Sequence, residues 1–268
     1  MLFAIPFPAI DPTLIEIGPF AIRWYALAYI VGIVLGWRLA RVLVQRPPQA
    51  ATPEQVDDFV TWATLGIILG GRLGYVLFYR PGYYITAPWE ALYLWHGGMS
   101  FHGGALGVIA ALFLFTRMNR LDFVGFSDRI VCVVPIGLFL GRIANFINGE
   151  LWGRIAPDVP WAMVFPHGGP IPRHPSQLYQ AFFEGICLFA LLMLLARSEK
   201  VRASPGMLSG SFLAGYGVAR IIGEFFRQPD ANLGFLVAGA TMGQLLSLPM
   251  VLVGGWLILR GRALRAAG

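Results

Sequence analysis

The chain has 268 residues, 57% of them hydrophobic and only 13% charged, with a mean hydropathy of +0.66. Soluble domains carry about twice that charged fraction, so an ordinary water-soluble fold is excluded. The formal net charge of +6 does not point to nucleic acid, because the basic residues sort by side of a membrane.

The first 20 residues, MLFAIPFPAIDPTLIEIGPF, have no basic leader and are broken by Pro6, Pro8 and Pro12. A cleavable signal peptide is therefore not expected. Seven apolar runs follow, at about 20–44, 57–79, 97–116, 128–149, 176–196, 207–226 and 236–259. Each is long enough, at roughly 20 residues, to cross about 30 Å of hydrocarbon. The expectation is an all-α integral membrane protein with seven transmembrane helices, forming one polytopic domain over residues 1–268.

If the spans alternate, twelve of the 20 basic residues fall on one face. These are Arg38, Arg41, Arg46, Arg117, Arg120, Arg129, Arg197, Lys200, Arg202, Arg260, Arg262 and Arg265. The other face keeps Arg80, Arg154, Arg173 and Arg227. The positive-inside rule makes the first face cytoplasmic, with the C-terminus inside and the N-terminus outside. Residues 150–175 then lie outside. Six prolines and the Gly168-Gly169 turn predict a small periplasmic cap there, with short strands near Trp161 to Phe165.

Pairs of glycines four apart recur, among them Gly66/Gly70, Gly70/Gly74 and Gly103/Gly107; they predict close helix packing within one bundle. Cys132 and Cys187 both fall inside apolar runs, so no disulfide framework is implied.

Polar residues inside the runs carry the functional signal. GRIANFINGELWG, residues 141–153, places Arg142, Asn145 and Gly149 on one helical stripe, with Phe146 and Glu150 beside it. A charge at bilayer depth costs roughly 2.5–3.5 kcal/mol on insertion scales and faces a bundle interior. The helix of Arg142 supplies no carboxylate within the adjacent turn. The sixth run repeats the pattern with Tyr216, Arg220, Glu224 and Arg227 at i, i+4, i+8 and i+11, so that Glu224 can pair with either arginine.

At 1.5 Å per residue, Arg142 and Arg220 lie roughly 21 and 20 Å from the inner boundary, and His102 roughly 8 Å from the outer one. Arg23 and Tyr25 occupy the outer end of the first run. Two guanidiniums at one depth suit an anion, and the forked geometry of phosphate best of all. The bland alternative is buried ion pairs that glue helices together.

His102 sits among glycines in GGMSFHGGALG; it is either a satisfied hydrogen-bonding residue or a base. Ser100 raises an intramembrane serine hydrolase, although GMSFH lacks the final glycine of the hydrolase elbow. A lipid transporter or scramblase would use the same arginines without His102, and would show broken helices in related halves. The four histidines have no metal spacing, and no glycine-rich phosphate loop is present. Neither a metal nor a cofactor is expected. The role of Arg72 is open, and Ser176 reads as a helix N-cap.

Read as a whole, GRIANFINGELWG resembles the signature of the prolipoprotein diacylglyceryl transferases, bacterial enzymes that attach the first lipid to lipoproteins. The likeness covers nearly the whole chain. Arg23-Trp24-Tyr25, FHGGALG, RHPSQLY with Glu184 downstream, and YGVARIIGEFFRQPD fall in the family's order. The departures are Ala144, where many members have glycine, and Gln180, where glutamate is frequent.

The resemblance implies transfer of the diacylglyceryl group of phosphatidylglycerol to the lipobox cysteine of a prolipoprotein, releasing glycerol phosphate. It also implies seven spans in the bacterial inner membrane and a site toward the periplasmic side. Carried over residue by residue, Arg142 binds the lipid phosphate, Arg220 is essential beside it, and His102 is the candidate base. Tyr25, Asn145, Glu150, Gly153, Tyr216 and Glu224 line or brace the site. The implied partners are the lipid, the prolipoprotein signal peptide and the bilayer, with no nucleic acid. No protein nucleophile is needed, because the substrate brings the sulfur.

Overall fold

The computed structural model describes residues 5–8, 10–18, 20–229 and 234–267. Six of its helical stretches are long and apolar enough to cross a membrane: Trp24–Gln45, Pro53–Phe78, Phe101–Met118, Phe123–Ile147, Ser176–Arg197 and Met242–Arg265. The first three are α1, α2 and α4, with a short α3 (Pro81–Thr86) between the last two. The fourth is α5 (Phe123–Ile130) and α6 (Val134–Ile147), separated by a turn where Pro135 enters the new helix.

The fifth stretch comprises α7 (Ser176–Gln180), a π-helical turn (Ala181–Cys187) and α8 (Leu188–Arg197). A short α9 (Glu199–Arg202) follows α8, and the last stretch belongs to α11 (Met242–Ala267). Helix α10 (Met207–Phe226) has twenty residues, enough for about 30 Å. Arg220, Glu224 and its glycines keep it below the apolarity of the other six.

Several ends differ from the expected ones. The first helix begins at Trp24 because β3 (Phe20–Arg23) pairs antiparallel with β2 (Thr13–Ile17). The helix expected from 97 begins at Phe101, because Gly97 and Gly98 hold positive φ of 75° and 82°. The last helix starts at Met242, behind a Thr241–Gln244 side-chain cap. The strand expected between Trp161 and Phe165 is β4 (Met163–Val164), which pairs in parallel with β1 (Ile5–Pro6). Ser176 is not an N-cap; its hydroxyl donates to the Leu151 carbonyl at 2.9 Å.

The exposure pattern is inverted relative to a soluble protein. Leu69, Leu73, Leu77, Leu194, Leu252 and Leu259 point outward, whereas Arg72, Asp128, Arg129, Asn145, Gln177, Gln180, Glu184 and Glu224 are buried. A lipid solvent produces this arrangement, since apolar side chains lose nothing by facing it while polar groups must find partners inside.

The chain forms two compact units, residues 40–127 and residues 1–39 with 128–268. In the first, α2 and α4 pack glycine against glycine. A Cβ on Gly66 would stand 2.6 Å from the Gly107 carbonyl oxygen, and one on Gly74 would stand 2.8 Å from the Gly103 Cα. The small-residue pairs of these helices therefore serve packing inside the chain.

Arg72 of α2 is buried and donates to the carbonyls of Ala91 (2.8 Å), Glu90 (2.8 Å), Tyr93 (3.2 Å), Gly98 (3.2 Å) and Gly97. Its role is thereby fixed: it holds the irregular segment before α4. Ser100 caps α4, accepting from the Gly103 amide at 3.2 Å.

In the other unit, α1 meets α6 where Gly32 faces Gly137, and α10 lies against α11 where Gly210 faces Gly254. At one end, Asp128 accepts from the amides of Gly206 (2.9 Å) and Ser209 (2.8 Å), the first turn of α10. Arg202 donates to the carbonyls of Ala196 and Arg197 at the end of α8. At the other, residues 150–175 are ordered by bridges of Ile155 and Met163 with Arg173 and of Gly153 with Arg227. His174 stands there against Tyr179 and Phe226, and burial pushes its imidazole below the usual histidine range.

Candidate active site

Five side chains from three helical segments form an alternating ionic chain. Arg142 of α6 donates through Nε (3.0 Å) and Nη2 (2.9 Å) to Oε2 of Glu184 in the π-helical turn. The other oxygen of Glu184 faces Arg220 Nη1 of α10 at 3.7 Å. Arg220 Nη2 pairs with Glu224 Oε1 at 2.7 Å, and Arg227 Nη1 reaches the same oxygen at 3.2 Å. Thr241 closes the end, donating to Glu224 Oε2 at 2.6 Å.

Glu184 is fully buried, whereas the side chains of Arg142 and Arg220 keep 15% and 14% exposure. The accessible face of the chain is therefore guanidinium. Three guanidiniums against two carboxylates leave an excess of one positive charge. Burying carboxylates beside arginines also fixes where the guanidiniums stand, at the cost of desolvation that only good geometry offsets.

A second cluster adjoins α6. Asn145 donates to the Tyr25 hydroxyl at 2.9 Å and to Glu150 Oε1 at 2.8 Å. The expected single stripe through Gly149 and Glu150 is corrected here, because α6 ends at Ile147 and Gly149 turns with φ of 64°. That turn brings Glu150 back to Asn145. Gln177 donates to the Glu150 carbonyl at 2.6 Å and holds the turn in place.

Gly153 is there for space: a Cβ would stand 2.6 Å from the carbonyl oxygen of Phe226 and from the Cβ of His174. Arg154, next in sequence, donates to the carbonyls of Arg227 and Glu224 at 3.0 Å each. Tyr216, one turn before Arg220, is half-buried and stacks on Phe212 with centroids 6.0 Å apart.

The structure thus joins Arg142, Arg220 and Glu224 in one network and Tyr25, Asn145 and Glu150 in another. His102 belongs to the unit of residues 40–127, on the first turn of α4, exposed and edge-on to Phe101 at 5.8 Å. Ser100 uses its oxygen as a helix cap, which accounts for that residue without a nucleophilic role. Among the described residues, no group of three or more His, Cys, Asp or Glu side chains could hold a metal ion.

Reading by residue types missed Glu184 as the carboxylate partner of Arg142, which comes from another span. The signal was present, since AFFEGICLF sets a carboxylate in an apolar run as GRIANF sets an arginine. A π-helical turn is a further mark of a functional position. Thr241 carried no such signal.

Fold and site together define a polytopic membrane protein with an arginine-rich ionic network in its interior. The family model for prolipoprotein diacylglyceryl transferase matches residues 12–260, and the chain belongs to that family. It is 62% identical over 265 residues to a protein of Paramagnetospirillum magneticum, covering 97% of this chain and 98% of the relative. It is 62% identical over 255 residues to one of Rhodospirillum rubrum, covering 95% of this chain and 93% of the relative. With a protein of Azospirillum brasilense it shares 58% over 267 residues, 99% of this chain and 100% of the relative. All three relatives carry the name phosphatidylglycerol–prolipoprotein diacylglyceryl transferase.

Proposed function

We propose that the protein transfers the diacylglyceryl group of phosphatidylglycerol to the lipobox cysteine thiol of prolipoproteins, the first step of lipoprotein maturation. The observation that carries this reading is the chain Arg142–Glu184–Arg220–Glu224–Arg227. Its single excess positive charge balances the one negative charge of a phosphodiester, and family membership supplies the reaction class.

In the step, the cysteine sulfur attacks the glyceryl carbon that bears the phosphate ester. A C–S bond forms as the C–O bond breaks, and the bonding pair leaves on the phosphate oxygen of glycerol phosphate. Arg142 and Arg220 receive that developing charge already in position, which is where electrostatic catalysis gains most. Glu184 and Glu224 hold the two guanidiniums so that little reorganisation is needed. The family resemblance gives His102 as the residue that takes the thiol proton. A free thiol of pKa about 8.5 is mostly protonated near neutral pH, so a base is useful.

On this reading α10 crosses the membrane as a seventh span, residues 150–175 cap the periplasmic side and the chain ends in the cytoplasm of the bacterial inner membrane. The twelve-to-four division of basic residues supports that orientation. Tyr25, Asn145, Glu150, Gly153, Tyr216 and Glu224 line or brace the substrate site.

The test is purified protein with phosphatidylglycerol and a lipobox peptide. A peptide mass increased by one diacylglyceryl group is expected, and unmodified peptide would refute the reading. His102→Gln should cut turnover by on the order of 10²–10⁴ at saturating lipid, with residual activity rising with pH as the thiol ionises unaided. Wild-type turnover would remove His102 from the mechanism.

A further inference from the structure

Gln177, Gln180 and Glu184 stand at i, i+3 and i+7 in the helical stretch Ser176–Arg197, and all three are fully buried. Gln177 donates through Nε2 and Glu184 accepts through Oε2 as already described, while Gln177 Oε1 is buried without a hydrogen bond. Gln180 has no partner: its Nε2 and Oε1 are both buried and both without a hydrogen bond. Its amide lies against α10 at Gly223, where a Cβ would stand 3.4 Å from Nε2. Gly223 lies between Arg220 and Glu224, on the α10 face that carries Arg220 one turn earlier.

Glu184 and Arg220 of the ionic chain each hold an atom in this condition. Glu184 Oε1 and Arg220 Nη1 face each other at 3.7 Å, too far for a hydrogen bond, and neither has another partner. Buried polar atoms are satisfied in the great majority of cases. A leucine in place of Gln180 would fill similar space with no polar atom to satisfy.

We propose that Gln180 is a specificity-determining residue that reads the glycerol headgroup of the phospholipid; this rests on the transferase reading above. Its Oε1 accepts from a headgroup hydroxyl, while its Nε2 and Arg220 Nη1 donate to phosphodiester oxygens. On this stripe and the arginine facing it, the unpartnered atoms are three acceptors, Gln177 Oε1, Gln180 Oε1 and Glu184 Oε1, and two donors, Gln180 Nε2 and Arg220 Nη1. A bare anion, or a phosphodiester whose headgroup carries no hydrogen-bond donor, would use only the donors. A hydroxylated phosphodiester uses both sets. Because the amide is neutral, it adds no charge that would draw an ammonium headgroup instead. Arg142 and Arg220 are the partly exposed members, so the phosphate meets them first and the headgroup follows inward.

The experiment measures kcat/KM for transfer to a lipobox peptide from two lipids, phosphatidylglycerol and phosphatidylpropanol, which has the same phosphodiester and no headgroup hydroxyl. The wild-type protein should prefer phosphatidylglycerol by on the order of ten- to hundredfold, the scale set by leaving buried hydrogen-bonding groups unpaired. Gln180→Leu should lose that preference, phosphatidylglycerol falling further than phosphatidylpropanol until the two lipids are used at similar rates. Equal use of both lipids by the wild-type protein would overturn the assignment without any variant. A Gln180→Leu protein that slows equally on both lipids, or keeps the preference, would overturn it as well. No transfer from either lipid by the wild-type protein would overturn the transferase reading itself, and the assignment with it.

Discussion

The unit of residues 1–39 and 128–268 buries charge in two places, and the two are wired differently. At one, Asp128 gives both carboxylate oxygens to backbone amides at the start of α10, and Arg202 donates to carbonyls at the end of α8. An acid at a helix start and a base at a helix end meet unpaired backbone groups and the favourable end of the helix dipole. At the other, Arg142, Glu184, Arg220, Glu224 and Arg227 pair side chain to side chain, leaving polar atoms unsatisfied. Charges tied to backbone hold helices where they are. Charges tied to one another, with capacity left over, can exchange partners with an incoming anion.

Arg142→Lys should have the largest effect. An ammonium cannot give the parallel Nε and Nη2 bonds to Glu184 and still present a fork to phosphate, so transfer should fall by two orders of magnitude or more. Near-normal turnover would mean that a point charge suffices. Glu184→Gln keeps shape and removes one counter-charge; turnover should fall by roughly ten- to hundredfold, since displaced donors of this kind are worth that scale or more.

Asp128→Asn is the opposing arm. Losing charge-assisted bonds to two amides should cost about 1.5–3 kcal/mol of stability, while turnover per folded molecule stays within about twofold. A large kcat loss in Asp128→Asn, or a purely thermal effect in Glu184→Gln, would erase the distinction. Arg72→Met extends the same logic to the other unit. Five carbonyls lose their donor, so earlier thermal unfolding and faster proteolysis near residues 88–98 are expected.

The smallest effect concerns His174, whose neutral form is favoured by burial. Tyr179 accepts from Trp161 and lies 3.1 Å from His174 Nδ1, a geometry that suits a neutral imidazole accepting the tyrosine proton. A histidine lowered in the folded state binds fewer protons than in the unfolded one, so stability rises with pH. The contribution is present above the ordinary histidine value of 6.5 and is lost as pH falls from there through the lowered one. Melting temperatures at pH 7.5 and 5.5 should differ slightly less in His174→Phe than in wild type, and an unchanged difference would remove His174 as the cause.

The helical spans were legible because membrane crossing demands long apolar runs, and so were the arginines, because each interrupts such a run. Partners were not legible. Arg72 and Arg142 look alike in sequence, yet one holds loop carbonyls and the other a carboxylate. Arg129 and Arg202 entered the reckoning of sidedness as mere charges, whereas both are buried. The β2–β3 hairpin escaped notice because its apolar strand runs straight into the first helix, and no periodicity separates them.

The π-helical turn at Ala181–Cys187 has a consequence for phase. Gln180, Glu184, Leu188, Leu192 and Ala196 recur every four residues and are all buried. On a regular helix of 3.6 residues per turn, each interval of four overshoots by about 40°, so four intervals would wind roughly 160° around the axis. A turn that closes five residues apart, rather than four, absorbs part of that drift. The polar half of the span and its oily half therefore keep one side toward the interior. Deleting a single residue from that turn would rotate one half against the other by about 100°, carrying Gln177 and Gln180 around toward lipid while leaving every residue of the ionic chain in the sequence.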